Sequence, residues 1–597
     1  LVFCFVHRLL AKLATPFMPP IQTARHYTLH KLRADLVAGL TVSVVELPQA
    51  MAYAIIAGVP PQYGIYTSII QGVIGALLSS SEHLTTGPTN TQSLLVASAV
   101  ARLAQMGGPQ YLQLVFALAM LKGLIQLGFA AARMGTMVHY VSRSVIVGVA
   151  AGAGVLIIAG QLPAFVGIEV AQSHRHLPGV LGAVERVWPH LGEMKPLAMG
   201  IGALSLAIVL GGRLISPFVP GALLAVIVSA AVVAAMGWTA GELPLVPSLP
   251  RAFPHFSIPQ ISWGQAESLL GGALALALLG MLESVAIAKS IAARSGERID
   301  PNQEFFTQGL KNFLSSFFQC IPGSGSFTRS ALDYAAGAQT RFAAVFNGLF
   351  VALLFWGLAG WARFIPMASL SAVLLVIAVG LIDWRYFWRI VRADRQEALV
   401  CGVTFLATAL APLEYAIFIG VFLSIGMYLR KASRLRLMEM HQLPGGRFIE
   451  RPIRDRTGQR KVIFLQVEGD LFFAVADELE DHLAGLARSE VRVVILRLKR
   501  LHSIDVTVLE VLERFTQQMQ ERGGQVILCG IRTDVMDVLR RFGLVDLIGR
   551  DNVFYTGFGV FDSAKRALRR ARELVGSSID IDAIPTDDEA EEFFYQI

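Results

Sequence analysis

The sequence predicts an α-helical membrane protein of many spans followed by a small α/β domain, and three observations predict it. Of the 597 residues, 54% are hydrophobic and 16% charged, and the mean hydropathy of +0.56 lies outside the range of soluble globular domains. Apolar blocks fill most of residues 36–429, whereas charge is mixed beyond Arg430. Two helices of the apolar part are broken near their start, at 85–90 (TTGPTN) and at 321–330 (IPGSGSFTRS), and paired broken helices mark repeats whose half-helices meet near the bilayer midplane. A helix that begins inside a membrane turns its unpaired N–H groups and positive dipole end toward whatever fills the break, which makes an anion site.

Composition narrows the function classes. Cys4, Cys320, Cys401 and Cys529 are scattered without a CxxC or Cys/His cluster, so neither a disulfide framework nor a zinc site is supported. There is no Gly-rich phosphate loop for ATP-driven transport, and no nucleophile, base and orienter stand at a spacing that would support an enzyme. No cofactor is implied. The net charge of +7 comes mainly from basic residues in short loops beside apolar blocks, a positive-inside pattern rather than a nucleic-acid surface.

In chain order, residues 1–34 read as a cytoplasmic N-terminal segment, too interrupted by His7, Arg8 and Lys12 to be a signal peptide. Residues 35–430 form the transmembrane part. The span 35–59 exceeds the roughly 20 residues a crossing needs, yet carries Glu46, Pro48, Gln49 and Tyr53 mid-span. Pro48 kinks it, and Gln49 and Tyr53 either line a cavity or join helices. A second span, 63–79, precedes the half-helix of 85–100, where Pro88 suits a first turn and Thr89, Asn90 and Thr91 can cap it. Spans at 111–133, 140–160, 196–214 and 217–236 bring this half to seven elements. After a Pro-rich stretch, 242–263, the second half runs 269–291, 303–320, the half-helix from Gly325, then 342–361, 368–382, 398–410 and 416–429, again about seven.

An even number of elements puts both ends on one side. Arg133, Arg143, Arg294, Arg341 and the arginines of 385–395 fall in loops on the side of the basic segment 430–436, whereas opposite loops carry only Arg175, Arg251 and Arg363 among those noted, so that side is expected to be cytoplasmic. Glu283 sits mid-helix in LALLGMLESVAIAKSIA and is a candidate to carry a coupling proton or to ligate Na⁺; an ion pair with Arg329 is the structural alternative. Glu46 is a second candidate coupling acid, unless it reaches the interface from near the end of its helix.

The runs DLVAGLTV, PQAMAYAIIAGVPPQYGIYTS, TTGP, ALLGMLESVAIAKSIA, RIDPNQEFFTQGLKN and PGSGSFTRSALDYAAGAQT, in this order, resemble the SulP family of anion transporters. The resemblance implies 14 transmembrane segments in two inverted seven-segment repeats, a fold shared with uracil permeases, with a core domain moving against a gate domain in an elevator-like way and usually a homodimer. It places the substrate site on Gln49, Tyr53, Thr89, Ser326, Phe327, Thr328 and Arg329, and the acid of the eighth span on Glu283. Where many relatives have an apolar or small residue after Gly-Pro, this chain has Thr89 followed by Asn90 and Thr91. The family carries sulfate, bicarbonate, halides and dicarboxylates. The expectation is a secondary transporter of an inorganic oxyanion, sulfate foremost, coupled to H⁺ or Na⁺, in the cell (inner) membrane; the alternatives are a Na⁺-coupled bicarbonate transporter, or a dicarboxylate carrier or channel of the same fold.

Residues 441–575 alternate apolar strands with amphipathic helices and resemble a STAS domain. KVIFLQVEGDLFFA reads as paired strands and LHSIDVTVLEVLE as a loop and helix start. In STAS relatives of the anti-sigma-factor antagonist type a phosphorylated serine follows the aspartate; here Val506 follows Asp505, and Thr507 reads as an N-cap. Such a domain implies a cytoplasmic binding protein as a possible partner, and no nucleic acid. Residues 576–597 form an acidic tail expected to be disordered.

Overall fold

The computed structural model describes residues 23–135, 142–168, 179–215, 220–239, 241–247, 249–250, 252–433, 435–442, 448–452, 461–556 and 561–576. Residues 1–22 of the expected N-terminal segment and 577–597 of the expected acidic tail lie outside these, as do Arg175 and Arg251. The chain divides into two compact units, Leu1–Ile425 and Gly426–Ile597.

In the first unit, helix starts follow local chemistry. Proline at the first turn opens α2 (Pro61–Leu78) and α4 (Pro109–Ala131), after α1 (Leu29–Ile56) with Pro48 inside it. The half-helix α3 (Asn90–Val100) lies between α2 and α4. Next come α5 (Arg143–Val166), the short α6 (Gly179–Val187), α7 (Pro196–Ile215) and α8 (Gly221–Met236). α9 runs the 33 residues Trp263–Ser295, opened by a reciprocal cap between Ser262 and Gln265 and closed by Gly296 at φ 79°.

α10 (Pro301–Ser316) is capped by Asp300 and ends earlier than the expected 303–320, because Gln319 takes a φ of 59° and Pro322 follows. The second half-helix, α11 (Phe327–Ala335), is followed by α12 (Phe342–Leu358), α13 (Met367–Leu381), α14 (Trp384–Ala393), α15 (Arg395–Leu410) and α16 (Leu413–Ala432). The arginines at 385, 389 and 392, expected in a loop, lie on α14. Five stretches among the described residues are long and apolar enough to cross a membrane, among them Leu29–Ile56 and Trp263–Ser295.

These helices pack as two groups. α1, α2, α12, α4, α9 and α10 pack on one another together with the half-helices; α5, α7, α13 and α15 form a second group that α8 joins through α7. The groups meet where α1 touches α8 and α13, and where α3 touches α5. Within the first group backbones come close: a Cβ on Gly64 would stand 2.0 Å from the Ala50 carbonyl oxygen.

The second unit is built on a six-stranded sheet in the order β4-β3-β5-β6-β7-β8, the strands being β3 (Arg436–Gln442), β4 (Phe448–Pro452), β5 (Val462–Leu471), β6 (Val493–Ile504), β7 (Gln525–Ile531) and β8 (Val553–Tyr555). β3 is antiparallel to both neighbours, and β5 to β8 run parallel. The parallel strands require crossover helices, supplied by α17 (Phe473–Arg488), α18 (Val506–Glu521), α19 (Thr533–Phe542) and α20 (Leu544–Ile548). Alternation along β5 sends Ile463, Leu465 and Val467 into the core under these helices and Phe464 to the other face, against Ala564, Ala567 and Leu568 of α21 (Asp562–Val575). On that second face burial pushes the Cys529 thiol up to about 12, so it stays protonated.

KVIFLQVEGDLFFA holds the single strand β5, 462–471, followed at once by the start of α17, not a strand pair, and LHSI extends β6 rather than forming a loop. The cap of α18 is Asp505, whose carboxylate accepts from Val508 N at 3.0 Å, while Thr507 lies within the first turn. The other carboxylate oxygen accepts from Phe473 N at 2.5 Å, so one side chain ties the starts of α17 and α18 together. Asp505→Ala should therefore raise amide exchange across 473–476 and 506–510 together, with a local loss of about 1–2 kcal/mol, in hydrogen–deuterium exchange of the full chain; unchanged exchange at 473–476 would contradict the double role.

Candidate functional site

Ahead of each half-helix the chain runs extended, and the two extended pieces pair: β1 (Thr86–Gly87) is antiparallel to β2 (Ser324–Gly325), with Thr86 opposite Gly325 and Gly87 opposite Ser324. Unpaired backbone groups within a membrane are costly, and the two breaks satisfy each other. Neighbours complete the pairing. Ser326 N donates to Thr85 O at 3.0 Å, Thr85 N to Ser330 Oγ at 2.8 Å, Gly325 N to Ser284 Oγ at 2.9 Å and Gly323 N to Asn312 Oδ1 at 3.0 Å. A Cβ on Gly323 would stand 2.2 Å from Gln71 Oε1 and 2.4 Å from the Gly87 carbonyl oxygen, so this crossing point requires glycine.

α3 starts after Thr89 and α11 after Ser326, both extended, and neither cap side chain takes an N–H of the turn it begins. The Thr89 hydroxyl instead shares a hydrogen bond with Ser324 Oγ at 3.2 Å. Neither cap residue therefore closes the start of its half-helix; in α3 the Thr91 amide donates to Asn90 Oδ1 at 2.8 Å, and the cap residues leave the other first-turn amides without a carboxylate or hydroxyl. Thr89 and Ser326 are buried, whereas Phe327 and Thr328, in the first turn of α11, are exposed.

α1 packs against both half-helices. Its Gln49 and Tyr53, one turn apart, are both buried, and Gln49 Oε1 has no hydrogen-bond partner among the described residues. Tyr53 sits in an apolar cluster with Ile157 of α5, Leu374 of α13 and Leu94 of α3, where the two helix groups meet.

The charged residues sort into two sets. Arg329, 1% exposed, pairs with Glu46 and donates through Nη2 to Pro88 O at 2.9 Å, while its Nε has no partner among the described residues. Glu46 is fully buried, does not reach the surface, and accepts from Asn347 Nδ2 of α12 at 2.5 Å. Arg329 thus faces α1 and the Gly-Pro turn before α3, and its ion pair is with Glu46 rather than Glu283. Glu283 of α9 accepts from Thr91 Oγ1 at 2.6 Å and from Ser324 Oγ at 2.9 Å, so it touches both breaks.

Beside it lies Lys122 of α4, fully buried, donating to Gln92 Oε1 at 2.7 Å and to Gly323 O at 2.6 Å. Lys311 of α10 is also fully buried, its Nζ without a hydrogen-bond partner among the described residues. Sequence reasoning missed both lysines. Their signal was present: a lysine inside an apolar span of 111–133, and another on an otherwise polar face of 301–316, are ionisable groups at membrane depth.

Comparison with known proteins adds to this geometry. Residues 32–404 match the model of the sulfate permease family, and residues 454–564 match the STAS domain. The chain is 28% identical over 539 residues to the putative sulfate transporter YvdB of Bacillus subtilis, covering 88% of this chain and 97% of that one. It is 28% identical over 574 residues to sulfate transporter 4.1, chloroplastic, of Arabidopsis thaliana, covering 89% and 80%. Its fold is that of the murine Solute Carrier 26 family member A9 anion transporter, with a TM-score of 0.84 at 20% identity over 94% of this chain and 95% of that one.

The buried pair makes a testable demand on stability. Glu46→Ala strands the Arg329 guanidinium and should cost about 3–5 kcal/mol, whereas a double substitution, Glu46→Leu with Arg329→Met, should recover much of that loss. Thermal unfolding of the purified variants checks it; a double variant no more stable than Glu46→Ala would contradict the pairing.

Proposed function

Since this chain belongs to the sulfate permease family and carries a STAS domain, we propose that it is a secondary transporter of an inorganic oxyanion, sulfate foremost, coupled to H⁺ or Na⁺. The observation that carries the reading is the pair of half-helices that begin at one strand pair, neither capped by the side chain of its cap residue. Two helix N-termini and nearby hydroxyls favour a negative ligand. Gln49, Tyr53, Thr89, Ser326, Phe327 and Thr328 are the side chains proposed around that ligand. Arg329 adds positive field and, through Glu46 and Pro88, holds the turn before α3 in place. The names of the relatives support sulfate as the anion.

Glu283 is the proposed coupling group. Its oxygens accept from Thr91 at the start of α3 and from Ser324 in β2, so a cation on the carboxyl changes the groups that frame both breaks. Glu46 is the second proposed acid, acting through Arg329. Motion is proposed as an elevator, with the group built around α1, α2, α4, α9, α10, α12 and the half-helices moving against α5, α7, α13 and α15. The element order is consistent with 14 segments in two inverted repeats over 35–430 followed by the STAS domain at 441–575; both termini are proposed to be cytoplasmic and the protein a homodimer in the cell membrane, as the family resemblance implies. A cytoplasmic protein is the proposed partner of the STAS domain.

Radiolabelled sulfate uptake into proteoliposomes tests this. Uptake should rise with an inward proton gradient at fixed Na⁺, and Glu283→Gln should lose the gradient response while keeping sulfate exchange. Full gradient-driven uptake by Glu283→Gln would contradict the coupling role, and transport of bicarbonate without sulfate would contradict the substrate.

A further inference from the structure

A buried ammonium is expensive unless oxygen atoms surround it. Lys122, in the middle of the apolar run 117–128, meets that condition in a particular place. Its Nζ donates to the Gln92 side-chain oxygen on α3 and to the Gly323 carbonyl ahead of β2, at 2.7 and 2.6 Å. The Glu283 carboxylate lies within electrostatic range of that ammonium. That carboxylate in turn holds the hydroxyls of Thr91 and Ser324. A backbone carbonyl, an amide oxygen, a carboxylate and two hydroxyls are the hard oxygen donors that an alkali cation takes.

The elements that supply them are α3, α9 and the break before α11, the same ones that build the candidate anion site. Space is limited as well: a Cβ on Gly280, one turn before Glu283, would stand 3.2 Å from Lys122 Nζ. Lys311 on α10 lies within electrostatic range of Lys122, and Arg329 is already paired with Glu46.

We propose that Lys122 is a built-in cation, its ammonium occupying the place beside Glu283 that a coupling Na⁺ would otherwise take. The carrier then needs no Na⁺, and Glu283 exchanges only a proton. This rests on the reading of Glu283 as the coupling group and narrows the choice of coupling ion. A lysine that merely joined helices would leave no cation preference behind when removed; a lysine in a cation's place leaves an oxygen cage open to Na⁺.

The test uses full-length protein. Thermal unfolding in NaCl and in choline chloride at equal ionic strength, with no oxyanion present, reads cation binding whatever anion is carried. Wild type should unfold at the same temperature in both salts. Lys122→Ala should gain a saturable, Na⁺-specific rise, absent in Lys122→Ala with Glu283→Gln. Lys122→Ser, which keeps a hydroxyl for Gln92 or Gly323, serves if the alanine variant does not fold. In proteoliposomes, sulfate uptake by Lys122→Ala should increase about fivefold or more when Na⁺ replaces choline, the low end of ordinary coupling between two ligands, while wild type is unchanged. Na⁺-specific stabilisation of wild type would overturn the proposal, as would a folded Lys122 variant indifferent to Na⁺. Wild type without sulfate uptake would instead count against the substrate reading and leave the unfolding result to decide on Lys122.

Discussion

Two residues of β1 paired with two of β2 are the constraint on which the membrane unit depends. Breaking a helix inside a bilayer strands amides and carbonyls that water cannot reach, and the break survives only where protein satisfies them. Pairing the two breaks with each other meets much of that demand at once, and it brings the starts of α3 and α11 to a common place. The remaining backbone groups dictate their neighbours. Gly323 N needs Asn312, Gly325 N needs Ser284, the Ile321 carbonyl takes Gln71, and the Gly323 carbonyl takes both Lys122 and Asn312.

This explains the composition of α10. Its Glu304, Thr307, Gln308, Lys311, Asn312 and Ser315 are all fully buried, so the polar face of an amphipathic helix points into the protein. A polar face is ordinarily turned to water. Here the polar groups meet protein instead: Asn312 reaches the backbone of Gly323 at the break and Ser315 joins it through Gln71, while Glu304 and Thr307 take the end of α2 at Leu78 to Ser81. Buried charge follows the same logic of local satisfaction. Arg329 and Glu46 form an ion pair between α11 and α1, while Lys122 of α4 donates to Gln92 and to the Gly323 carbonyl within electrostatic range of Glu283 on α9.

Much of this was legible in the sequence because hydropathy and helix breakers are local properties. Apolar runs marked the spans, and Gly-Pro and Gly-Ser-Gly marked both breaks within a residue or two of β1 and β2. Ordered motifs pointed to the family that the model match then showed. What local patterning does not carry is the choice of partner. Periodicity says which face of a helix a residue occupies, not which face of another helix meets it, and so Arg329 could be paired on paper with Glu283 as readily as with Glu46. Lys122 and Lys311 stand out little in the sequence because a single charge barely changes the hydropathy of a span. In the STAS domain the errors fell at boundaries, where a strand such as LHSI continues on the strength of pairing with β5, a nonlocal cause.

The central claim is that one anion is held by the first turns of both half-helices at once. Hydrogen–deuterium exchange of the full-length protein with saturating sulfate, against a large organic anion at equal ionic strength, measures this most directly. The account predicts that sulfate slows exchange at residues 90–92 and 327–329 together. Slowing at one half-helix alone, or only elsewhere in the chain, would contradict it.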